Sequence, residues 1–370
     1  MYDRLSQRLI GARVRVARDA QKWTQDQLSD ALGFNDRQSV SDIENGKRAL
    51  KPDELVRLTD LLDRDIDFFI DPFVVAGEAR FSWRAATGVA RPVLEAFEAK
   101  AGPWIGLLRW LRESDGSNSP LQQTLRLSKY STFEEAIACA ESLVQALDFG
   151  LVPAERLAER IESRLDIPVL FVDAAMGEAS ISGATCHLPD LNVILVNRGE
   201  SEVRRSFDLA HELFHALTWQ TMEPEHVEPN DAPATGKRSR IEQLADSFAA
   251  GLLMPRTSLE QLIDPRRIES LDHLAEVAAR LRVSPAALAW RLFNLKRIGE
   301  PMCHVLRACA ARDAAVSTPK RYSLSFVAML HGAIERGRLS ARKAAKALAI
   351  GLPHLADLFT EHSLPVPFEL

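Results

Sequence analysis

His211-Glu212-Leu213-Phe214-His215 sets two histidines four residues apart, with a glutamate beside the first, in a run free of helix breakers. On an α-helix this spacing projects both imidazoles from one face, one turn apart and roughly 6 Å between Cβ atoms, so that both reach a single tetrahedral ion. Glu212 then points at the ion's open position. There it takes a proton from a water whose pKa zinc lowers to about 7, and returns it later to a leaving amine. The alternative is a helix face carrying solvated polar residues. A third ligand on a second element separates the two readings.

Glu242 is the candidate for that ligand. It lies in Ile241-Glu242-Gln243-Leu244-Ala245-Asp246-Ser247-Phe248, whose apolar spacing predicts a helix with Phe248, Leu252 and Leu253 on its buried side. Asp246 follows one turn later. A metal-bound imidazole donates its other N–H to a carboxylate that fixes its tautomer, so Asp246 is expected to orient His211 or His215. Otherwise, both acids line an exposed face.

The run Arg204-Arg205-Ser206-Phe207-Asp208-Leu209-Ala210 before the histidine motif, with Glu242-x-x-Ala245-Asp246-x-Phe248-Ala249-Ala250-x-Leu252-Leu253-Met254-Pro255 after it, resembles the ImmA/IrrE family of metallo-endopeptidases. Leu191 to Asn197 reads as a strand and is similar to that family's entry into its active helix. The resemblance spans about residues 160 to 300. It implies a zinc endopeptidase with a gluzincin-like ligand set, His211, His215 and Glu242, and with Glu212 as general base and acid. Manganese or iron fits the same ligands. It also implies cleavage of one regulatory protein, a DNA-bound repressor, in a stress, phage or mobile-element response. Gly251 stands where the family more often has a helix-favouring residue, which predicts a local loss of about 1 kcal/mol.

A second signal occupies residues 5 to 70. Leu9, Ile10, Val14 and Ala17 recur at helical spacing, Thr24 with Gln27 three residues on predicts a capped helix, and Gly33 stops it. A turn over Phe34-Asn35-Asp36-Arg37 leads to a helix from Gln38 to Asn45, closed by Gly46-Lys47-Arg48, and another runs from Pro52 to Leu62. This stretch resembles the Xre/Cro-type repressor domain, with Thr24-Gln25 and Ile43-Glu44-Asn45-Gly46-Lys47-Arg48 as its most recognisable parts. The resemblance implies that Gln25, Arg37, Gln38, Ser39 and Ser41 face the major groove of an operator while Lys47 and Arg48 approach phosphate. Acids roughly balance bases through residue 70, so binding is expected to be modest and salt-sensitive. A helical module for protein contact or homodimerisation is the alternative.

At 370 residues the chain exceeds what one core usually serves, and two or three domains are expected. The organisation read from the sequence is a helix-turn-helix domain over 1–72, a helical connector over 73–155, a zincin-like peptidase domain over 156–262 and a helical region over 263–370. The fold class is mainly α with a small β-sheet in the peptidase domain. In the connector, Phe81-Ser82-Trp83-Arg84 and Trp104 to Leu111 concentrate aromatics, expected to be helix core or an interdomain seam, with a loop at Asp115 to Pro120. Helices are expected over 133–147 and 153–165, and a strand over 168–172. The run Glu223 to Pro233 is rich in proline and acid and is expected to lack regular structure, as a lid would. Its His226 is a candidate oxyanion donor, more readily read as a solvated loop residue. Two segments repeat the helix-turn-helix rhythm and are read as packing units: helices over Leu271 to Leu281 and Ala286 to Leu295, the second capped by Ser284, and over Ser340 to Leu348 and Pro353 to Phe359. Were they to bind DNA, Arg291 and Lys296, or Arg342, Lys343 and Lys346, would carry the contact.

Cys139, Cys186, Cys303 and Cys309 lack CxxC spacing and read as packing residues in a reducing compartment. No apolar run of membrane length and no signal-like core is present, so a cytoplasmic chain without membrane contact is expected. A net charge of −5 argues against a globally basic nucleic-acid coat. The leading expectation is a zinc endopeptidase joined to a DNA-binding domain. The second is a repressor or antitoxin-like protein whose metal site is structural or ligand-sensing, kept open because Tyr2, Tyr130 and Tyr322 all lie far from the motif in sequence. A third has DNA acting as the trigger of cleavage.

Overall fold

The computed structural model describes residues 2–86, 88–116, 124–174, 181–229, 239–309 and 318–369. Residues 117–120 of the expected loop and 230–233 of the expected lid lie outside them.

Thr24 and Gln27 exchange backbone-to-side-chain hydrogen bonds of 2.8 and 3.2 Å, a capping box that starts one helix, and Gly33 ends it in the left-handed region at φ 71°. Asp36 caps the next through the Ser39 N–H, and Pro52 occupies the first turn of the one after. The resulting elements are α1 (Tyr2–Ala20), α2 (Gln25–Leu32), α3 (Arg37–Glu44), α4 (Pro52–Leu62) and α5 (Ile66–Ile70). They close over a core of their own, including Val14, Leu28, Val40, Ile43, Leu58 and Phe69. Gly11 permits α1 to cross the end of α3, since a Cβ there would stand 2.1 Å from the Ile43 carbonyl oxygen.

The chain continues through β1 (Arg80–Ala85), α6 (Arg91–Ser114), α7 (Phe133–Ala146), α8 (Leu157–Leu165), β2 (Val169–Val172), β3 (Ile181–His187) and β4 (Asn192–Asn197). Then come α9 (Glu202–Thr218), β5 (Val227–Pro229), α10 (Arg240–Leu253), α11 (Arg256–Leu262), α12 (Leu271–Leu281), α13 (Pro285–Asn294) and α14 (Glu300–Ala308). The last helices are α15 (Leu324–Glu335), α16 (Ala341–Leu348) and α17 (Leu352–Glu361). The five strands form one sheet in the order β2-β4-β3-β1-β5. β3 runs antiparallel to both β1 and β4, with Arg84 opposite Gly183 and Thr185 opposite Ile194; β2 and β5 are parallel to their neighbours.

β4 explains the sheet's position. Val193 and Leu195 enter one apolar core and Ile194 and Val196 the other, so the strand is buried on both faces and reads as an unbroken apolar run. One core gathers α7 to α14; the other gathers α6 and α15 to α17. The residues after 263 therefore divide between the two faces.

Two expectations are corrected. Phe81 to Arg84 is neither helix core nor a seam between domains but part of β1, so the 73–155 stretch supplies a strand to the sheet. Phe81 and Trp83 share one face and stack at 5.2 Å, leaving Ser82 and Arg84 on the other. The run from Glu223 is also not wholly irregular: the Trp83 N–H donates to the His226 carbonyl at 2.9 Å and β5 completes the sheet, because β1 otherwise presents unpaired backbone groups. Among the described residues no helix is long and apolar enough to cross a membrane.

Candidate metal centre

Ser201 caps α9 and Ser239 caps α10, the latter through the Glu242 N–H, so that Glu242 falls in the first turn of its helix. Between these helices His211, His215 and Glu242 converge. His211 Nε2 lies 3.0 Å from His215 Nε2 and 3.2 Å from Glu242 Oε2, and His215 Nε2 lies 3.5 Å from Glu242 Oε1. Ligand atoms about 2.0–2.2 Å from a tetrahedral zinc stand about 3.3–3.6 Å apart, so these separations, measured to one or the other Glu242 oxygen, come close to the edges of that tetrahedron. The donor chemistry fits as well. Three lone-pair-bearing atoms face one another at buried positions, and Glu242 Oε1 has no hydrogen-bond partner there.

Asp246 Oδ1 lies 3.0 Å from His211 Nδ1, so this carboxylate contacts His211. Glu212 is fully buried against β3. The Thr185 hydroxyl lies 2.7 Å from its Oε2 and 3.0 Å from its backbone oxygen, and the neighbouring Gly183 lets β3 lie close to β4, since a Cβ there would stand 2.9 Å from the Leu195 carbonyl oxygen.

The sequence carries no expectation for Thr185, nor for two charged residues at this centre. Arg84, from β1, donates through Nε to Asp208 Oδ1 at 2.8 Å, and its Nη1 lies 3.1 Å from both ring nitrogens of His211. Asp208 is one turn before His211 on α9, is fully buried and also accepts from Arg204 Nε at 3.1 Å. The alternation Arg80-Phe81-Ser82-Trp83-Arg84 is the sequence signal for a strand here. No local pattern says which helix that strand faces.

Tyr130, Tyr322 and His226 lie elsewhere. His226 Nε2 is 2.7 Å from Glu98 Oε1, which also accepts from the Trp83 indole. Tyr130 is exposed, and Tyr322 sits in the core on the opposite face of the sheet, where burial pushes its phenol up to about 12. Beside the centre opens a groove of about 620 Å³, lined in part by Val203, Phe207, Asp246, Leu253, Val283 and Trp290.

In the N-terminal domain, Arg37, Gln38 and Lys47 are exposed on and just after α3, with Ser39 and Ser41 partly so. Gln38 donates to Asp42 at 2.8 Å. Gln25 and Arg48 are engaged by acids of their own domain: Gln25 donates to Glu44, which also holds Arg18, and both oxygens of Glu54 accept from Arg48. Arg291 is buried against Glu141 and the Met254 carbonyl, while Lys343 and Lys346 lie 3.9 and 3.3 Å from Asp71 and Asp67. These C-terminal bases thus serve contacts within the chain.

Residues 162–293 match the family model described as the IrrE N-terminal-like domain, of the M78 peptidases, and residues 14–69 match the helix-turn-helix model. No curated protein and no solved structure matches the chain. The chain therefore joins an Xre-type helix-turn-helix domain to a peptidase domain of the ImmA/IrrE type.

Proposed function

We propose that this chain is a DNA-binding regulator carrying a zinc-dependent endopeptidase that cuts one regulatory protein, a repressor, in a stress, phage or mobile-element response. The observation that carries the reading is the triangle of His211, His215 and Glu242 donor atoms beside the buried Glu212. When bound there, zinc supplies Lewis acidity that polarises a peptide carbonyl and makes water a nucleophile near neutral pH; manganese or iron fits the same donors.

The chain's own residues do the rest. Glu212 holds the proton removed from the nucleophile and passes it to the leaving amine, its carboxylate oriented by Thr185. Asp246 accepts from His211 Nδ1 and so keeps Nε2 in the unprotonated form a metal requires. The apolar groove receives substrate residues flanking the cut. Arg37, Gln38, Ser39 and Ser41 read operator bases and Lys47 meets phosphate, with Gln25 and Arg48 holding the reading helix through Glu44 and Glu54.

The complete burial of His211, Glu212 and His215 supports a second reading, in which the metal fastens α9 to α10 and the chain acts as a repressor alone. One experiment separates them: expression of the native chain and of Glu212→Gln, comparing the cellular proteins cut and the metal content of each. The expected result is equal metal content with cleavage reduced at least about hundredfold in the variant. Undiminished cleavage would remove Glu212 from its role, and an absence of any cut protein would favour the repressor.

A further inference from the structure

Arg84 comes from β1, before the start of the matched peptidase region, yet its side chain ends inside the metal centre. It is one of the most deeply buried charges in the chain, with a side chain 3 % exposed. A guanidinium so placed needs compensation, and here there is an excess of it: Asp208 binds it directly, while Glu212, Glu242 and Asp246 act on it through space. Burial works against its charge, but these four carboxylates hold its pKa above the ordinary value.

The geometry narrows what Arg84 does. Nη1 is equidistant, at 3.1 Å, from Nδ1 and Nε2 of His211. An atom equidistant from both nitrogens lies over the ring and not along either lone pair, so Nδ1 remains with Asp246 and Nε2 with the triangle. The guanidinium is therefore not a substitute ligand or a hydrogen-bond anchor for the ring. What it brings is a fixed positive charge in a place where four acids converge.

Resting on the proposed metal site, we propose that Arg84 is the centre's resident counter-cation: it holds the acidic cluster together in the metal-free chain and opposes the incoming dication, setting how tightly the metal is held. Asp208 is its counterweight, a buried carboxylate on the same helix as the two histidines that draws the guanidinium into position. A unit charge a few ångström from a dication, at an effective dielectric of about 20, alters binding well over tenfold. Removing either member of the pair thus moves metal affinity in opposite directions.

The test titrates zinc and cobalt(II) into the purified full-length chain, against a competing chelator, with cobalt's visible bands reporting occupancy of the site. Arg84→Met is expected to bind zinc at least about tenfold more tightly than the native chain and to melt at a lower temperature when metal-free. Asp208→Asn is expected to bind at least about tenfold more weakly, and the double variant to return to within about threefold of native. Arg84→Lys, which keeps the charge, stays near native. If Arg84→Met does not fold, the weakened binding of Asp208→Asn and the native-like binding of Arg84→Lys carry the test. Unchanged or weaker binding in Arg84→Met, or native-like binding in Asp208→Asn, overturns the proposal and leaves the metal site standing. A native chain that binds neither ion overturns the metal site itself.

Discussion

Asp246 contacts the candidate metal centre through the ring of His211, so in the proposed site its loss is felt as a change in that ligand and not as the loss of one. Asp246→Asn keeps the shape and can still occupy the space, but no longer accepts the Nδ1 proton as an anion. Metal affinity is expected to fall about 10- to 100-fold, while the metal-free chain melts within a few degrees of native, because the side chain is 26 % exposed. Metal titration beside calorimetry checks both halves. Residues of this centre were legible in sequence to the extent that they obey a local rule. The histidines stand four apart and Glu242 and Asp246 likewise, so helical geometry alone groups each pair. Arg84 and Thr185 arrive from separate strands, and a two-residue alternation specifies a strand's faces without naming the helix beneath. His226 has the right chemistry for an oxyanion donor, but its ring is held by Glu98.

Helices announced themselves best where an end was marked chemically. The expected limits of α4 and α12 coincide with those observed, Pro52–Leu62 and Leu271–Leu281, the first begun by proline and the second capped by Ser270. β3 was not foreseen, because Ile181-Ser182-Gly183-Ala184-Thr185-Cys186-His187 is buried along its whole length and mixes small polar with apolar residues. Gly251 shows how packing overrides propensity. The sequence marks it as a weak point of α10, but a Cβ there would stand 3.0 Å from the Ile137 Cα and carbonyl oxygen, so glycine lets α10 lie against α7. Gly251→Ala gains about 1 kcal/mol of helix propensity but presses on the Ile137 backbone, which must yield by a few tenths of an ångström, a cost of about 1–3 kcal/mol. Net destabilisation, seen as a lower calorimetric midpoint, is the expected outcome, and a raised midpoint would show that the two helices separate freely.

At the start of α4, Glu54 ties Arg48 and the Lys51 N–H into the helix end. Burial raises its carboxyl pKa, but these partners prevail and hold it below the ordinary value of 4.5. A pKa depressed on folding contributes stability that is present above the unfolded value and is lost as pH falls through the folded one. The N-terminal domain should therefore lose stability progressively below about pH 4.5, and Glu54→Gln should flatten that dependence while lowering the midpoint at neutral pH. Melting followed from pH 6 to pH 3 decides it; parallel curves for the two proteins would place the acid sensitivity elsewhere.

The whole molecule is arranged around a sheet buried on both sides, and this sets which parts can be removed. The N-terminal domain has a core of its own, and its contacts with the rest include Arg13 donating to the Val74 carbonyl and Lys346 beside Asp67. The C-terminal helices are different: Phe326, Leu330, Leu348 and Phe359 share one core with Leu170, Val172, Val193 and Leu195 of the sheet. Burying each large apolar side chain contributes about 1.5–3 kcal/mol, so uncovering that face exceeds a domain's net stability of about 5–15 kcal/mol. A chain ending at residue 317 should thus lose the sheet, and with it the seat of Thr185 and Arg84, although every candidate metal ligand remains in its sequence. A chain beginning at residue 73 should keep metal binding near native and lose operator binding. Zinc titration, with a dye that reports exposed apolar surface, reads both truncations. Native-like zinc binding by the chain lacking residues 318–370 would mean that α9 and α10 hold the centre without the sheet's far face.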